Sequence, residues 1–175
     1  MGADVAAMEV DRRAAFSRLA DGQLDAAYRI AGVILGSGVD AEDAAHDAVV
    51  QAWRSFATLR ETAKFEAWFQ RILVNVCRDR LRKRRRTPVT ELDLAGATPG
   101  PDGFAGIDDR LALDQAFARL SPDQAITVAL RYRTDLTLED VAARMGVPVG
   151  TVKSRLHAAH GVLERALTGA QVVDL

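Results

Sequence analysis

The stretch TLEDVAARMGVPVGTVKSRLH, residues 137–157, decides the fold of the second half of this chain. Thr137 is placed to cap a first helix, and Asp140 follows at the capping-box position. Gly146 stands where that helix must end in a left-handed residue, and Pro148 suits the first turn of a second helix. Two short helices joined by a tight glycine turn are typical of a helix-turn-helix, which places its second helix in the major groove of DNA.

The second helix of this motif divides into two faces. At 100° per residue its apolar side chains fall on one side, which predicts a core face. The opposite face is small and polar, so that the helix backbone could approach DNA closely. We expect DNA contacts from five residues on this face and its margin: Thr151, Lys153, Ser154, Arg155 and His157. An ordinary amphipathic helix with a solvated polar face is the alternative.

Composition limits the classes of protein to consider. Hydrophobic residues make up 49% of the 175 residues, which supports a packed core, and no apolar run is long enough to span a membrane. The amino-terminal residues include acids and no apolar stretch, so we expect no signal peptide. The single cysteine, Cys77, excludes an internal disulfide and suits a reducing cytoplasm. It falls on the apolar face of its helix, where a small core residue is expected.

A segment rich in proline and glycine, TPVTELDLAGATPGPDGFAGI at 87–107, divides the chain. It has no helical period and no basic residue, so it is expected to be a flexible acidic linker at 87–108. The periodicity elsewhere predicts helices at 11–36, 41–56, 65–86, 109–119, 122–133, 138–145 and 149–168. Gly36 and Gly38 are expected to end the first of these helices and Asp40 to cap the second. Ser121, with Gln124 at the capping-box position, is expected to cap the helix at 122–133. Strand patterns are absent. We therefore predict an all-α fold of two small helical domains, residues 1–86 and 109–175.

A basic stripe follows the helix predicted at 65–86. Four polar residues recur there at spacings of four, three and four and share one face: Arg71, Asn75, Arg78 and Arg82. Arginine holds phosphate by paired hydrogen bonds, and an amide can read a base edge. Trp68, at the margin, could stack on an unpaired base, but large aromatics are mostly buried and we favour the core for it. The stripe continues into KRRR, and such a block favours an anionic partner.

A row of polar residues follows the helix predicted at 41–56. Asp40, Asp43, Asp47 and Gln51 lie near helical spacing, with His46 among them. Carboxylates four residues apart could bind a metal or face a basic partner. Stabilisation of a helix amino terminus accounts for Asp40 and Asp43, but not for Asp47. His46 has no second histidine nearby, so we expect no transition metal and no cofactor.

Together these segments resemble the extracytoplasmic-function group of bacterial RNA polymerase sigma factors, in the sigma-70 family. DAEDAAHDAVVQAWRSF at 40–56 resembles the family's region 2.2, and FEAWFQRILVNVCRDRLRKRRR at 65–86 resembles regions 2.3 and 2.4. LSPDQAITVALRYRTDLTLEDVAARMGVPVGTVKSRLHAAH at 120–160 resembles region 4. The similarity covers roughly residues 11–168 in the family's order, with the linker in the expected place.

The resemblance implies a subunit that gives core RNA polymerase its promoter specificity. The first domain would bind the clamp helices of the polymerase through Asp43, His46, Asp47 and Gln51. The single-stranded minus-10 element would be held by Arg60, Lys64, Trp68, Arg71, Asn75, Arg78 and Arg82. Within that set, Asn75 and the loop at 59–64 would capture a flipped base. The recognition helix would bind the double-stranded minus-35 element, and an inhibitory anti-sigma partner is expected.

Two departures from the family pattern affect these expectations. His157-Ala158-Ala159-His160 stands where the family usually has His-Arg-Ala-Arg, so two phosphate-binding charges are missing from the recognition helix. His46 and Asp47 replace a glutamine and a glutamate, which keeps polarity and shortens reach.

Two alternatives from other classes stay open. A stand-alone helix-turn-helix regulator would leave the acidic row and the basic stripe unexplained. An enzyme using Asp43 and Asp47 would need a nucleophile–base pair, a phosphate-binding loop or a metal-ligand spacing, and the sequence offers none of them.

Overall fold

The computed structural model describes residues 2–86, 115–134 and 136–171, with side chains from 10 to 168 within those ranges. All the regular elements in these ranges are helical, which confirms the all-α fold class. The helices are α1 (Gly2–Asp21), α2 (Leu24–Leu35), α3 (Gly38–Ser55), α4 (Phe65–Arg86), α5 (Pro122–Arg133), α6 (Leu138–Met145) and α7 (Val149–Gln171). Residues 115–118 are also helical, whereas the predicted linker at 87–108 lies outside the described residues.

The prediction of one helix at 11–36 was wrong, because the chain turns between α1 and α2. The turn lies at Gly22 and Gln23, and the Gln23 N–H donates to the Ala20 carbonyl at 2.9 Å. Both helices bury apolar residues against the same core, so the apolar pattern continues across the break and hides it. Gly36 ends α2 with a φ of 70°, as its position in the sequence indicated.

The start of α3 also differs from the prediction. Ser37, rather than Asp40, is the N-cap, and its hydroxyl accepts a hydrogen bond from the Asp40 N–H at 3.4 Å. Asp40 therefore lies in the first turn of the helix, where its carboxylate pairs with Arg84 of α4. Gly38, expected to terminate the preceding helix, is the first residue of α3.

The core of the first half depends on small residues in α3 and aromatic residues around it. The buried face of α3 consists of five alanines: Ala41, Ala44, Ala45, Ala48 and Ala52. An alanine face lets neighbouring backbones approach closely, and α2 and α4 pack on α3. Aromatic rings from α1 and α4 fill one end of the core, where Phe16 meets Phe65 edge-on at 5.9 Å.

The second half has the capped helices that its sequence predicted. Ser121 and Gln124 form a complete capping box at the start of α5, with proline at the first helical position. Thr137 and Asp140 form another at the start of α6, and Gly146 ends that helix with a φ of 65°. The helix-turn-helix is therefore confirmed as a local structure.

The two halves share one continuous core. Helix α4 packs against α5 and α6 as well as against α2 and α3, and α2 also contacts α5. Gln70 of α4 is buried with 5% of its surface exposed, although it lies outside the apolar stripe of that helix. No described helix is long and apolar enough to cross a membrane.

Gly36 and Gly146, the two described glycines with a positive φ, make a matched pair for a stability test. We expect Gly36→Ala to cost about 1 kcal/mol of unfolding free energy, because an L-residue is strained at this φ, and nothing lies within 4 Å of its added Cβ. Gly146→Ala should cost about the same, because the Arg71 guanidinium that its Cβ would overlap is the end of an exposed, flexible side chain and can move aside. Urea denaturation measures both losses. A much larger loss of stability in Gly146→Ala, removed in an Arg71→Ala background, would contradict this expectation and show that Arg71 is held against the turn.

Candidate nucleic-acid interface

The basic stripe lies along one face of α4, as its spacing predicted. Arg71, Asn75 and Arg82 are exposed, whereas Arg78 keeps only 15% of its side-chain surface accessible. The Asn75 amide oxygen accepts a hydrogen bond from the Arg78 guanidinium one turn later. Arg82 pairs loosely with Asp79, at 3.8 Å. The face therefore presents an amide between guanidinium groups, a combination suited to a base edge flanked by phosphates.

The other residues predicted for this surface lie at the amino-terminal end of α4. The loop at 59–64 leads directly into the helix, with Arg60 and Lys64 exposed. Lys64 pairs with Glu61 at 2.9 Å in a solvent-exposed contact. Trp68 is half-buried and tilted against Phe65, with ring centroids 5.7 Å apart. It packs on the core, as favoured above, without being enclosed by it.

The recognition helix is α7, and its first turns carry the predicted DNA-contacting residues. Lys153, Ser154 and His157 are exposed, whereas Thr151 and Arg155 are partly buried. The Ser154 hydroxyl donates to the Thr151 carbonyl at 3.0 Å. No atom lies within 4 Å of a Cβ built on Gly150, so the start of the helix presents an open surface.

The preceding helix, α6, is held in place by its cap. The Thr137 hydroxyl donates to the Asp140 carboxylate at 2.7 Å, and the Asp140 N–H donates to the Thr137 hydroxyl at 3.1 Å. The hydrogen bond from the Thr137 side chain is the main reason that the pKa of Asp140 lies below its ordinary value. The carboxylate therefore stays ionised where it favours the helix amino terminus.

The acidic row of α3 faces outward and also contacts α4. Asp43, His46, Asp47 and Gln51 are all exposed. Both carboxylates reach Arg80 of α4, at 3.8 Å from Asp43 and 2.5 Å from Asp47. Asp47, which helix-end electrostatics did not explain, thus has a partner within its own half. The sequence indicated that Arg80 needs a counter-ion, since it lies in the middle of the apolar side of α4, but it did not indicate which acid would supply one.

The structure joins the two basic surfaces through a residue that the sequence analysis did not select. One carboxylate oxygen of Asp123, in the first turn of α5, accepts from Arg78 Nε at 2.6 Å. The other accepts from Arg155 Nη2 at 3.2 Å. One residue from each predicted DNA-binding set therefore shares a single carboxylate.

Two further contacts connect the same surfaces. Arg144, in the last turn of α6, donates to the buried Gln70 amide oxygen at 2.6 Å. The guanidinium of Arg71 lies against the turn at Gly146. None of these contacts could be read from the sequence, because each joins residues far apart in the chain and on different helices.

Comparisons with known proteins match both halves. The family model for sigma-70 region 2 matches residues 19–87, and that for sigma-70 region 4 matches residues 110–159. The ECF RNA polymerase sigma factor SigM of Mycobacterium tuberculosis is 34% identical over 140 residues, covering 80% of this chain and 70% of that protein. SigW of Bacillus subtilis is 28% identical over 167 residues, covering 87% of this chain and 89% of that protein.

Solved structures resemble this one in fold. The sigma factor RpoE from Bartonella quintana, crystallised with the anti-sigma factor NepR, gives a TM-score of 0.56 at 26% identity, over 83% of this chain and 91% of that one. CnrH, in complex with the cytosolic domain of CnrY, also gives 0.56, at 24% identity and with 88% of each chain covered.

Cys77 lies outside these surfaces and is a buried core residue, as predicted. Burial raises the pKa of its thiol to about 12. Because the thiolate is the reactive form, we expect iodoacetamide to modify native Cys77 at pH 8 at least about a hundredfold more slowly than in the unfolded chain. Mass spectrometry of a time course with and without denaturant measures this ratio. Similar rates in both states would contradict the buried placement.

Proposed function

The chain belongs to the extracytoplasmic-function group of the sigma-70 family of RNA polymerase sigma factors, and we propose from this premise how its surfaces divide the work. Members of this group are promoter-specificity subunits, and this chain binds core RNA polymerase and directs transcription initiation. We propose that residues 1–86 bind the polymerase and the minus-10 element. Residues 109–175 would then bind the minus-35 element, with 87–108 linking the two domains.

The observation that carries this division is the presence of two separate basic surfaces, one in each half that matches the family. A stand-alone helix-turn-helix regulator would need only α6 and α7, and the match to region 2 disfavours it. Strand opening becomes favourable when many phosphate contacts and a captured base offset the cost of unstacking the duplex. The stripe on α4 supplies both kinds of group, because it combines guanidinium groups with the Asn75 amide.

For the minus-10 element, we assign Asn75 and the loop at 59–64 to a flipped base. Arg71, Arg78 and Arg82 would hold the phosphates of the same strand, with Trp68, Arg60 and Lys64 at the margin. The exposure of Asn75 and its hydrogen bond to Arg78 support this assignment, because the two groups lie close enough to act on neighbouring parts of one nucleotide.

For the minus-35 element, the exposed side chains of α7 are the candidates, led by Lys153, Ser154 and His157. Farther along the helix, His160 stands where the family usually has an arginine, and its Nε2 lies 3.0 Å from the Tyr132 hydroxyl. Because this pair carries less positive charge than an arginine, specificity should rest mainly on the first two turns of the helix.

For core polymerase, we assign the outward row of α3. The side chains of Asp43 and Asp47 are 63% and 56% exposed, so both carboxylates remain open to a basic partner while they contact Arg80. His46 and Gln51 extend the same polar face. In this view Arg80 holds α3 on α4 from inside, and the polymerase binds from outside.

The chain would act by binding and without catalysing a reaction itself. Its place of action would be the cytoplasm, because its partners, core polymerase and promoter DNA, are found there. The similar Bartonella quintana protein is complexed with an anti-sigma factor. We infer that an anti-sigma partner also regulates this chain.

The assignment of Asn75 predicts a defect in promoter opening. In run-off transcription with purified core polymerase, Asn75→Ala should lower the promoter-dependent product about tenfold, because capture of a base edge is lost. Permanganate footprinting should show fewer unpaired thymines, whereas the affinity for core polymerase should hardly change.

Gln51→Ala is the matched control for Asn75→Ala, because it removes an equally exposed amide from the face assigned to polymerase. It should weaken core binding and leave opening per bound complex unchanged. Equal losses of binding and opening in Asn75→Ala would contradict the assignment. Absence of any promoter-dependent product from the wild-type chain would refute the proposed function itself.

The acidic row predicts a separation between core affinity and stability. Asp47→Asn should weaken core binding about tenfold, because a charge facing the partner is lost. Arg80→Met should leave core binding intact and cost about 1 kcal/mol of stability, because it removes only the ion pairs between α3 and α4. Fluorescence-detected titration and thermal melting measure the two effects. Unchanged core affinity in Asp47→Asn would mean that the acidic row of α3 only stabilises the first half and does not bind polymerase.

A further inference from the structure

We propose that Asp123 is an intramolecular latch that keeps the free chain from binding promoter DNA. Its carboxylate holds Arg78 of the minus-10 surface and Arg155 of the minus-35 surface at once. A guanidinium that donates to Asp123 has fewer donors for a phosphate, so one carboxylate weakens both surfaces together. The inference rests on the proposed DNA-binding roles of the two arginines.

The latch belongs to a wider contact along one edge of the stripe on α4, the edge that contains Arg78. The buried arc of α4 extends past its apolar side to Gln70 and Val74, towards Arg78. Arg144 caps Gln70, and Arg85 of α4 donates to the Ala118 carbonyl at 3.2 Å. The second half is thus docked beside the stripe, and a nucleic-acid strand that used Arg78 together with the exposed Arg71, Asn75 and Arg82 would have to take Arg78 from Asp123.

The closed arrangement is incompatible with simultaneous binding of both promoter elements. Their names place them some 25 base pairs apart, which is roughly 85 Å of B-DNA at about 3.4 Å per pair. In the structure one side chain contacts both surfaces. The 28 residues from 87 to 114 can span at most about 95 Å when extended, so the chain is long enough to open.

Within the described part of the chain, the latch also leaves one buried nitrogen without a hydrogen bond, which makes the contact easier to reverse. Arg155 Nη1 is buried and has no hydrogen-bond partner among the described residues. An unsatisfied guanidinium nitrogen opposes burial, and opening would return it to water or to a phosphate. The closed state therefore depends on one carboxylate that pairs with two guanidinium groups and leaves one nitrogen of Arg155 without a hydrogen bond to any described residue.

The test compares Asp123→Asn with Asp79→Asn in the full-length chain without polymerase. Both substitutions remove one negative charge, but among the described residues Asp79 pairs with Arg82 of its own helix and with no residue of the second half. The probes are a fluorescein-labelled 20-nucleotide thymidine strand and a random-sequence duplex, followed by anisotropy over a range of salt concentrations. We expect Asp123→Asn to bind both probes about tenfold more tightly than Asp79→Asn, with a steeper salt dependence.

Domain separation is measured in the same variants by energy transfer between dyes on Glu42→Cys and Glu164→Cys. Both positions are exposed, whereas buried Cys77 should stay unlabelled. Transfer should fall in Asp123→Asn and stay at the wild-type level in Asp79→Asn. Equal DNA affinity in the two variants would overturn the latch, and so would tighter DNA binding with unchanged transfer.

A second variant is needed because Asp123 also lies in the first turn of α5, so that its replacement could destabilise this helix as well as the latch. Arg144→Met breaks the contact with Gln70 without altering α5, and energy transfer should again fall; unchanged transfer would count against a docked second half. In run-off assays with core polymerase, Asp123→Asn should match the wild type, because the bound chain is already open. Failure of the wild type in that assay would refute the sigma-factor role. The DNA affinities of Asp123→Asn and Asp79→Asn, measured without polymerase, would still test the latch.

Discussion

Packing on α4 from two sides is the constraint on which the rest of the structure depends. One side of the helix must fit the alanine face of α3, and the next must accept α5 and α6. The side that remains carries the arginine stripe. A helix used in this way has one side left for solvent, and the charged residues at the edges of its packed sides are drawn into contacts between elements. Arg78 and Arg80 are both partly buried for this reason, and each has a carboxylate partner.

The same constraint links stability to function. Arg80 and Arg84 use the acids of α3 to fasten α4 inside the first half. Arg78 uses an acid of α5 to fasten the second half to the first. The first set can persist when promoter DNA is bound, because it faces away from the stripe. In the proposed binding mode the second would be exchanged for phosphate. The arginines of α4 would then divide, by the direction they face, into those that hold the first half together and one that is released to DNA.

Particular residues show which features of the fold could be predicted from the sequence. The caps at Ser121 and Thr137 and the turn at Gly146 were predicted correctly, because each depends on residues within four positions. The break at Gly22 was missed, because a one-turn interruption leaves the apolar period nearly intact. Ser37 was overlooked as a cap because Asp40 offered a competing one. The site assignments remain predictions, although the family that they implied is confirmed.

The sequence by itself determined most of the helices, the two basic surfaces and the family, because periodicity, capping and motifs are local or recur in a fixed order. Only the tertiary structure decided that Asp47 meets Arg80 and that Asp123 meets both Arg78 and Arg155. Arg78 and Asp123 are 45 residues apart. A charge pair at such a separation leaves no periodic trace, since any exposed acid could serve any exposed base. The choice of partners follows from how the helices pack, and that packing is settled by the shape of the shared core.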